Sequence, residues 1–139
     1  MEHSFRTFLD AYLDAWRASS IPKFENMLSL DYQAREITGG EIVDFGYDES
    51  IEGWRQGFDF ALKNQAQWVI TEHSVFPLRD NEHLVVLSAS MLLGGVALDS
   101  GHLFFQTFRK FGDGNWRLAR SYIEAGIPYE HLASFPIQE

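Results

Sequence analysis

Residues 83–124 constrain the fold more tightly than any other part of this sequence. Three apolar runs follow one another there, separated by two short segments of turn-forming residues. Leu84 to Ala97 is rich in Leu and Val, and Ser88 and Ser90 alternate with Leu87, Ala89 and Met91. That is the period-two pattern of a strand with one buried face. Asp99-Ser100-Gly101 comes next; Gly accepts φ > 0, and Asp and Ser hydrogen-bond local backbone, so this segment is a turn. His102 to Phe111 is a second strand, with Phe104 and Phe108 on one face and Phe105 and Thr107 on the other. Gly112-Asp113-Gly114-Asn115 is the second turn, because an Asp-Gly pair between apolar runs signals a hairpin. Trp116 to Glu124 completes a three-stranded antiparallel meander. A sheet of that size needs a cover on one face, and the cover has to come from helices upstream.

The upstream sequence supplies them. Ser4 is placed to cap a helix running to Arg17 or Ala18, in which Phe5, Phe8, Leu9, Tyr12, Leu13 and Trp16 recur at spacings of three and four. Ser19-Ser20 ends it, and Pro22 opens a short second helix in a first-turn position that needs no N–H. Tyr32 to Thr38 reads as a strand with Ala34 and Glu36 on one face and Arg35 and Ile37 on the other, broken by Gly39-Gly40. Glu41 to Tyr47 fits either a short strand or a surface loop. Asp48 or Ser50 starts a third helix to about Gln65, with Ile51, Trp54, Phe58, Ala61 and Leu62 as its apolar stripe. Gly53 and Gly57 lie one turn apart in it and weaken it by roughly 1 kcal/mol each, which predicts something packed close against the helix. Gln67 to Phe76 is a further strand. Gly94-Gly95 predicts a bulge or sharp bend in the first meander strand. Gly126 and Pro128 stop the last strand, and Tyr129 to Phe135 adds one helical turn.

One α+β domain over residues 1–139 is expected, with a core at about 5–127 and a C-terminal tail from 128. Hydrophobic residues make up 45% of the 139 and aromatics 15%, enough for a well-filled core and against disorder. Twelve Phe and four Trp serve either as core or as the lining of a pocket. A net charge of −9 argues against nucleic acid and anionic membrane surfaces, which would repel it. The absence of Cys excludes disulfides, thiolate nucleophiles and Cys-based metal sites. His3, His73, His83, His102 and His131 show no metal-ligand spacing; of these, His73 and His102 lie in predicted strands within reach of a pocket mouth. No Gly-rich phosphate loop or nucleophile elbow is present, so no cofactor is expected. The first residues lack the basic and apolar regions of a secretory signal, and no apolar run reaches membrane-spanning length. A soluble cytoplasmic domain is the expectation.

The order of elements, carried by AYLDAWRASSIPKFENMLSLDYQAREITGG, IEGWRQGFDFALK and HLFFQTFRKFGDGNWRLARSY, resembles the nuclear transport factor two-like superfamily. Ketosteroid isomerases, scytalone dehydratase and polyketide-cyclase-like domains share that fold. The resemblance covers about Phe5 to Ile127. It implies a cone-shaped, strongly bent antiparallel sheet whose concave face is covered by three helices from the N-terminal half, a cystatin-like α+β fold. Within the superfamily, ketosteroid isomerases place a Tyr on the first helix, a carboxylate base on the first strand and a later acid opposite the Tyr. Laid ungapped on this chain, the Tyr falls on Tyr12, the base on Glu36 and the acid near Gln106. Gln106 donates a hydrogen bond but cannot be a protonated acid.

The resemblance implies a pocket for an apolar cyclic or polyketide-like small molecule. Glu36 would be the base of an isomerase, cyclase or dehydratase, and Tyr12 with Gln106 would steady an enolate oxygen. Trp16, Ala34, Trp54, Phe58, Ala119, Ser121 and Ile123 are its expected lining. Two other readings stay open: a ligand-binding module without chemistry, and an association domain whose cone is merely core. A homodimer is expected through the outer sheet face. Trp116, Leu118, Arg120 and Tyr122 would lie on that face, with Phe104 and Phe108, or else Phe105, adding apolar area and an Arg120–Glu124 ion pair near the rim. An exposed patch of that kind is uncommon on monomers.

Overall fold

Two glycine pairs set the outline of the sheet. Gly39 and Gly40 have φ of 57° and 82°, and Gly94 and Gly95 have φ of 61° and 80°. Two consecutive residues at positive φ make the tight turn whose twist matches paired strands. Accordingly Thr38 faces Glu41 across the first pair, and Leu93 faces Val96 across the second. Neither pair merely breaks or bends a strand, as the sequence suggested; each reverses the chain.

The computed structural model describes residues 2–133, with side chains from residue 4 onward. In chain order these are α1 (Glu2–Arg17), α2 (Ile21–Phe24) with a 3-10 turn at Glu25–Met27, β1 (Leu28–Thr38), β2 (Glu41–Gly46) and α3 (Tyr47–Asn64). They continue with β3 (Gln67–Arg79), β4 (Glu82–Leu93), β5 (Val96–Ala97), β6 (Ser100–Lys110), β7 (Trp116–Pro128) and α4 (Tyr129–Ala133). The helical turn expected to reach Phe135 is described as far as Ala133; its remainder, and the His3 side chain, lie outside the described residues. The strands form one curled, unclosed sheet in the order β2-β1-β7-β6-β4-β3, with β5 paired to β4. The sheet is not wholly antiparallel. β1 and β7 run parallel, Glu36 beside Ile123, because α3 carries the chain from the β1–β2 hairpin to the opposite edge before the meander returns.

Helix α1 starts at Glu2, so Ser4 is not its cap. The Ser4 hydroxyl instead accepts the Trp116 indole N–H at 3.0 Å. The helix closes on Ser19, whose φ is 54° and whose Oγ accepts the Trp68 Nε1–H at 2.9 Å. Its apolar stripe, Phe5, Leu9, Tyr12, Leu13 and Trp16, is buried, each large side chain contributing roughly 1.5–3 kcal/mol. On the wet side, Arg6 binds Glu72 of β3 through two bonds of 2.9 and 2.7 Å, a half-exposed pair contributing about 1 kcal/mol or less. α3 begins at Tyr47, where Glu49 Oε1 accepts the Gly46 N–H at 2.8 Å, and ends at Gln65, with φ of 53°.

The last strand departs from simple alternation, and this reverses part of the expected dimer face. Opposite β6, Arg120 pairs with Thr107 but Leu118 pairs with Phe108, leaving Ala119 as an extra residue. A bulge of this kind exchanges the two faces of a strand. Beyond it, Ser121 and Ile123 point inward and Arg120 and Tyr122 outward, as the resemblance implied. Before it, Trp116 and Leu118 also point inward, with 5% and 0% exposure, and Phe108 joins them in the core. The outer face therefore keeps Tyr122, 39% exposed, with the Phe105 ring 6.0 Å away. The expected Arg120–Glu124 ion pair is not formed. Arg120 lies 3.8 Å from Glu82, which also holds Arg79 at 2.6 Å, while Glu124 accepts the Tyr122 hydroxyl at 2.5 Å.

One glycine is required by space. A Cβ on Gly101 would lie 2.5 Å from the Ala89 carbonyl oxygen, 2.7 Å from Leu132 Cδ1 and 2.9 Å from Ser90 Cβ. Gly101→Ala is expected to lower stability by roughly 1–3 kcal/mol, the usual cost of overpacking. Urea unfolding checks this, the midpoint falling with its slope unchanged; an unaltered midpoint would show that β4 and α4 part freely there.

Candidate functional site

The inner face of the sheet and the helices over it enclose a cavity of about 750 Å³, within the range of small-molecule sites. Its floor is built on Trp16. The Trp16 ring is 0% exposed and stands edge-to-face with Trp54 at 4.8 Å, Phe104 at 5.2 Å and Trp68 at 5.9 Å. Its Nε1–H has no hydrogen-bond acceptor among the described residues and lies within this group of rings. Ile123 lies at the bottom as well, and the half-exposed Val43 and Phe60 mark the rim.

Gly53 and Gly57 of α3 line the same cavity. The close packing expected against them is absent. No atom lies within 4 Å of a Cβ placed on Gly53, and only the tip of Trp68, at 4.0 Å, approaches one on Gly57. The two glycines leave bare helix along the wall, and that keeps the cavity open.

Glu36 reaches this cavity from β1. It is half-buried, sits beside Val43 of β2 and Ile123 of β7, and makes no hydrogen bond or ion pair among the described residues. Two other carboxylates line the cavity, and both are engaged. Asp44 receives Arg35 through bonds of 2.7 and 2.8 Å, and Glu49 holds the Gly46 N–H. Glu36 is thus the one lining carboxylate with no internal partner.

Tyr12 and Gln106 are brought together but do not line the cavity. The fully buried Tyr12 hydroxyl donates to Gln106 Oε1 at 3.0 Å, and Gln106 Nε2 points to Ser121 Oγ at 3.5 Å. Burial pushes the Tyr12 hydroxyl well above its ordinary pKa. Tyr32 stands between this group and Glu36, on the same face of β1. Burial raises its hydroxyl to about 12, nearby Ser121 and Ser50 hydroxyls offset part of this, and the Glu36 charge adds to the rise. Of the expected lining, Trp16, Trp54 and Ile123 face the cavity. Phe58 is buried in the core behind Trp54 and Trp68, and Ala119 occupies the bulge. Ala34 and Ser121 border a second hollow of about 800 Å³ on the far side of Tyr32.

Several lining residues were not anticipated: Tyr32, Phe45, Trp68 and Met91. Tyr32 was findable, since it stands four residues before Glu36 on one strand face. Of the two histidines placed within reach of a pocket mouth, His102 lines the cavity; its Nδ1 accepts the Gly126 N–H at 3.4 Å. His73 instead meets Ser88 Oγ at 3.0 Å, and burial lowers its pKa. Among the described residues no group of three or more His, Asp or Glu is placed to hold a metal ion, and no helix is long and apolar enough to cross a membrane.

No family model matches the chain, and no curated protein matches it. Solved structures do. A domain of unknown function with a cystatin-like fold from Nostoc punctiforme is 19% identical, with a TM-score of 0.68 over 94% of this chain and 80% of its own. An NTF2-like protein of unknown function from Pseudomonas putida is 14% identical, with a TM-score of 0.68 over 94% and 90%. A ketosteroid isomerase-like protein from Erwinia carotovora is 16% identical, with a TM-score of 0.61 over 88% and 94%. The chain has the nuclear transport factor two-like, cystatin-like α+β fold.

Tyr32 gives the site a pH signature. Its folded-state pKa of about 12 exceeds the ordinary 10.0, so its contribution is complete below pH 10 and is lost as pH rises through 12. The two units correspond to roughly 2–3 kcal/mol. Urea unfolding across that interval should lose stability faster in the native protein than in Tyr32→Phe. Parallel slopes would show that the hydroxyl is hydrated.

Proposed function

We propose that this protein binds a small, largely apolar molecule in the cone, and that Glu36 accepts a proton or hydrogen bond from it. The observation that carries this reading is a half-buried carboxylate without an internal partner, set in the wall of an aromatic cavity. Such a group is costly to dehydrate unless a ligand completes it. Placed beside an acidic C–H, it is equipped for the general-base step of an isomerase, cyclase or dehydratase. Tyr12 and Gln106 contribute differently in this reading. They hold each other below the cavity floor and fix the packing of α1 on β6, whereas Tyr32 is the hydroxyl nearest to Glu36's side of the cavity. The ketosteroid isomerase-like neighbour supports the comparison at the level of fold.

Native mass spectrometry of the purified protein tests binding. A retained small molecule is expected, and Gly53→Trp, which fills the cavity from an open helix face, should abolish it without loss of stability. Retention in the filled variant would place the ligand elsewhere. With the retained compound as substrate, Glu36→Gln should lower turnover by about a hundredfold or more; a variant that loses affinity alone would make the protein a binder without chemistry.

A second reading concerns assembly and rests on the uncovered outer face around Tyr122 and Phe105. In this reading two copies pair through that face about a two-fold axis, with Arg120 beside the contact. Light scattering at micromolar concentration should give twice the chain mass, and Tyr122→Glu should halve it. A monomer at all concentrations would refute the pairing.

A further inference from the structure

The charge around the cavity is one-sided. Carboxylates of Glu36, Asp44 and Glu49 line it, and among the described residues no Lys or Arg does. Among the described lining residues, His102 is the one basic side chain. Asp44 is paired with Arg35, but Glu49 binds only a backbone N–H and has no cationic partner among the described residues, and Glu36 has neither hydrogen bond nor ion pair. The rest of the wall is aromatic. Tyr32 shares the strand face of Glu36, and Phe45 pairs with Ala34 on the adjoining strand; Trp16, Trp54 and Phe104 lie deeper. Aromatic faces carry the negative part of their quadrupole outward and attract positive charge.

These features select among ligands by charge. An anion would meet two uncompensated carboxylates in a partly dry site, where repulsion is stronger than in water. A neutral molecule offers Glu36 at most a hydrogen bond and leaves its charge without a counter-charge. A cation supplies the missing counter-charge, and its apolar body fills the aromatic floor. We propose that the occupant of this cavity is an organic cation, a substituted ammonium on an apolar body, with Glu36 as its counter-ion. The inference rests on the reading of the cavity as a small-molecule site, and the two can fail separately.

The test uses three probes of one shape: trimethylanilinium, its neutral counterpart tert-butylbenzene, and the anion 2-methyl-2-phenylpropanoate. Binding is followed through tryptophan fluorescence, since Trp16, Trp54 and Trp68 all line the cavity. The cation should bind at least about tenfold more tightly than tert-butylbenzene, a difference of about 1.4 kcal/mol, and the anion more weakly than either. In Glu36→Gln most of that preference should vanish while the affinity for tert-butylbenzene stays the same. Equal binding of cation and neutral probe to the native protein, or tighter binding of the anion, overturns the cation and leaves the cavity reading standing. No binding of any probe up to millimolar concentration overturns both. Should Glu36→Gln fail to fold, the comparison of the three probes on the native protein decides alone.

Discussion

The contact on which the rest of this structure depends is the packing around the Trp16 indole. One ring touches aromatic partners from every layer: Tyr12 of its own helix, Phe24 of α2, Trp54 of α3, Trp68 of β3 and Phe104 of β6. Pairs of this kind add about 0.5–1.5 kcal/mol each beyond the area they bury. Their placement matters more than their sum. α1 and α3 are far apart in the chain and are held at one separation because a single rigid bicycle lies between them. The floor of the cavity is thus the same object as the centre of the core, and any change that loosens one loosens the other.

Around that floor the polar groups are divided by depth. Tyr12, Gln106 and Ser121 form a dry, mutually satisfied set, which makes their loss costly and their chemistry inaccessible. Glu36 is on the neighbouring row of the same sheet face, one pleat further along β1, and is left without a partner. Tyr32 separates the two environments. The fold places a stabilising network and a reactive group within one wall by changing only how far each strand position lies from the opening.

Much of this was legible in the residues. Period-two alternation identified the meander, and it put Ala34 with Glu36 and Ser121 with Ile123 on shared faces; the resemblance implied which faces were inner. Spacings of three and four identified the stripe on α1 that carries Tyr12 and Trp16. What alternation could not show was its own interruption. The bulge at Ala119 adds one residue and inverts the strand before it, which moved Trp116 and Leu118 from the outer face to the core. Gly39-Gly40 was read as a break and Gly94-Gly95 as a bulge or bend because a single glycine only weakens a strand; two in succession build a reversal. The resemblance also placed Tyr12 and Glu36 as partners, but depth in a curved sheet is not carried by such an alignment, and the two belong to different levels of the wall. Gly53 and Gly57 suggested a close neighbour, whereas they border empty space.

The parallel seam between β1 and β7 has a consequence for the order of events during synthesis. β1 is made well before β7, with β2 to β6 between them, yet each is the other's neighbour in the sheet. Until β7 has been made, β1 presents one unpaired edge, and Glu36 has no Ile123 beside it. Contacts between such distant segments form slowly, because the chain between them must first be gathered. The helices and the β1–β2 hairpin can assemble early from local contacts, but the cone cannot exist as a container before β7 has been made. During that interval the aromatic floor is uncovered and the sheet edge is open, the two conditions that most favour association of nascent chains. The device that gives the mature protein a cavity is also the one that exposes it longest while it is being made.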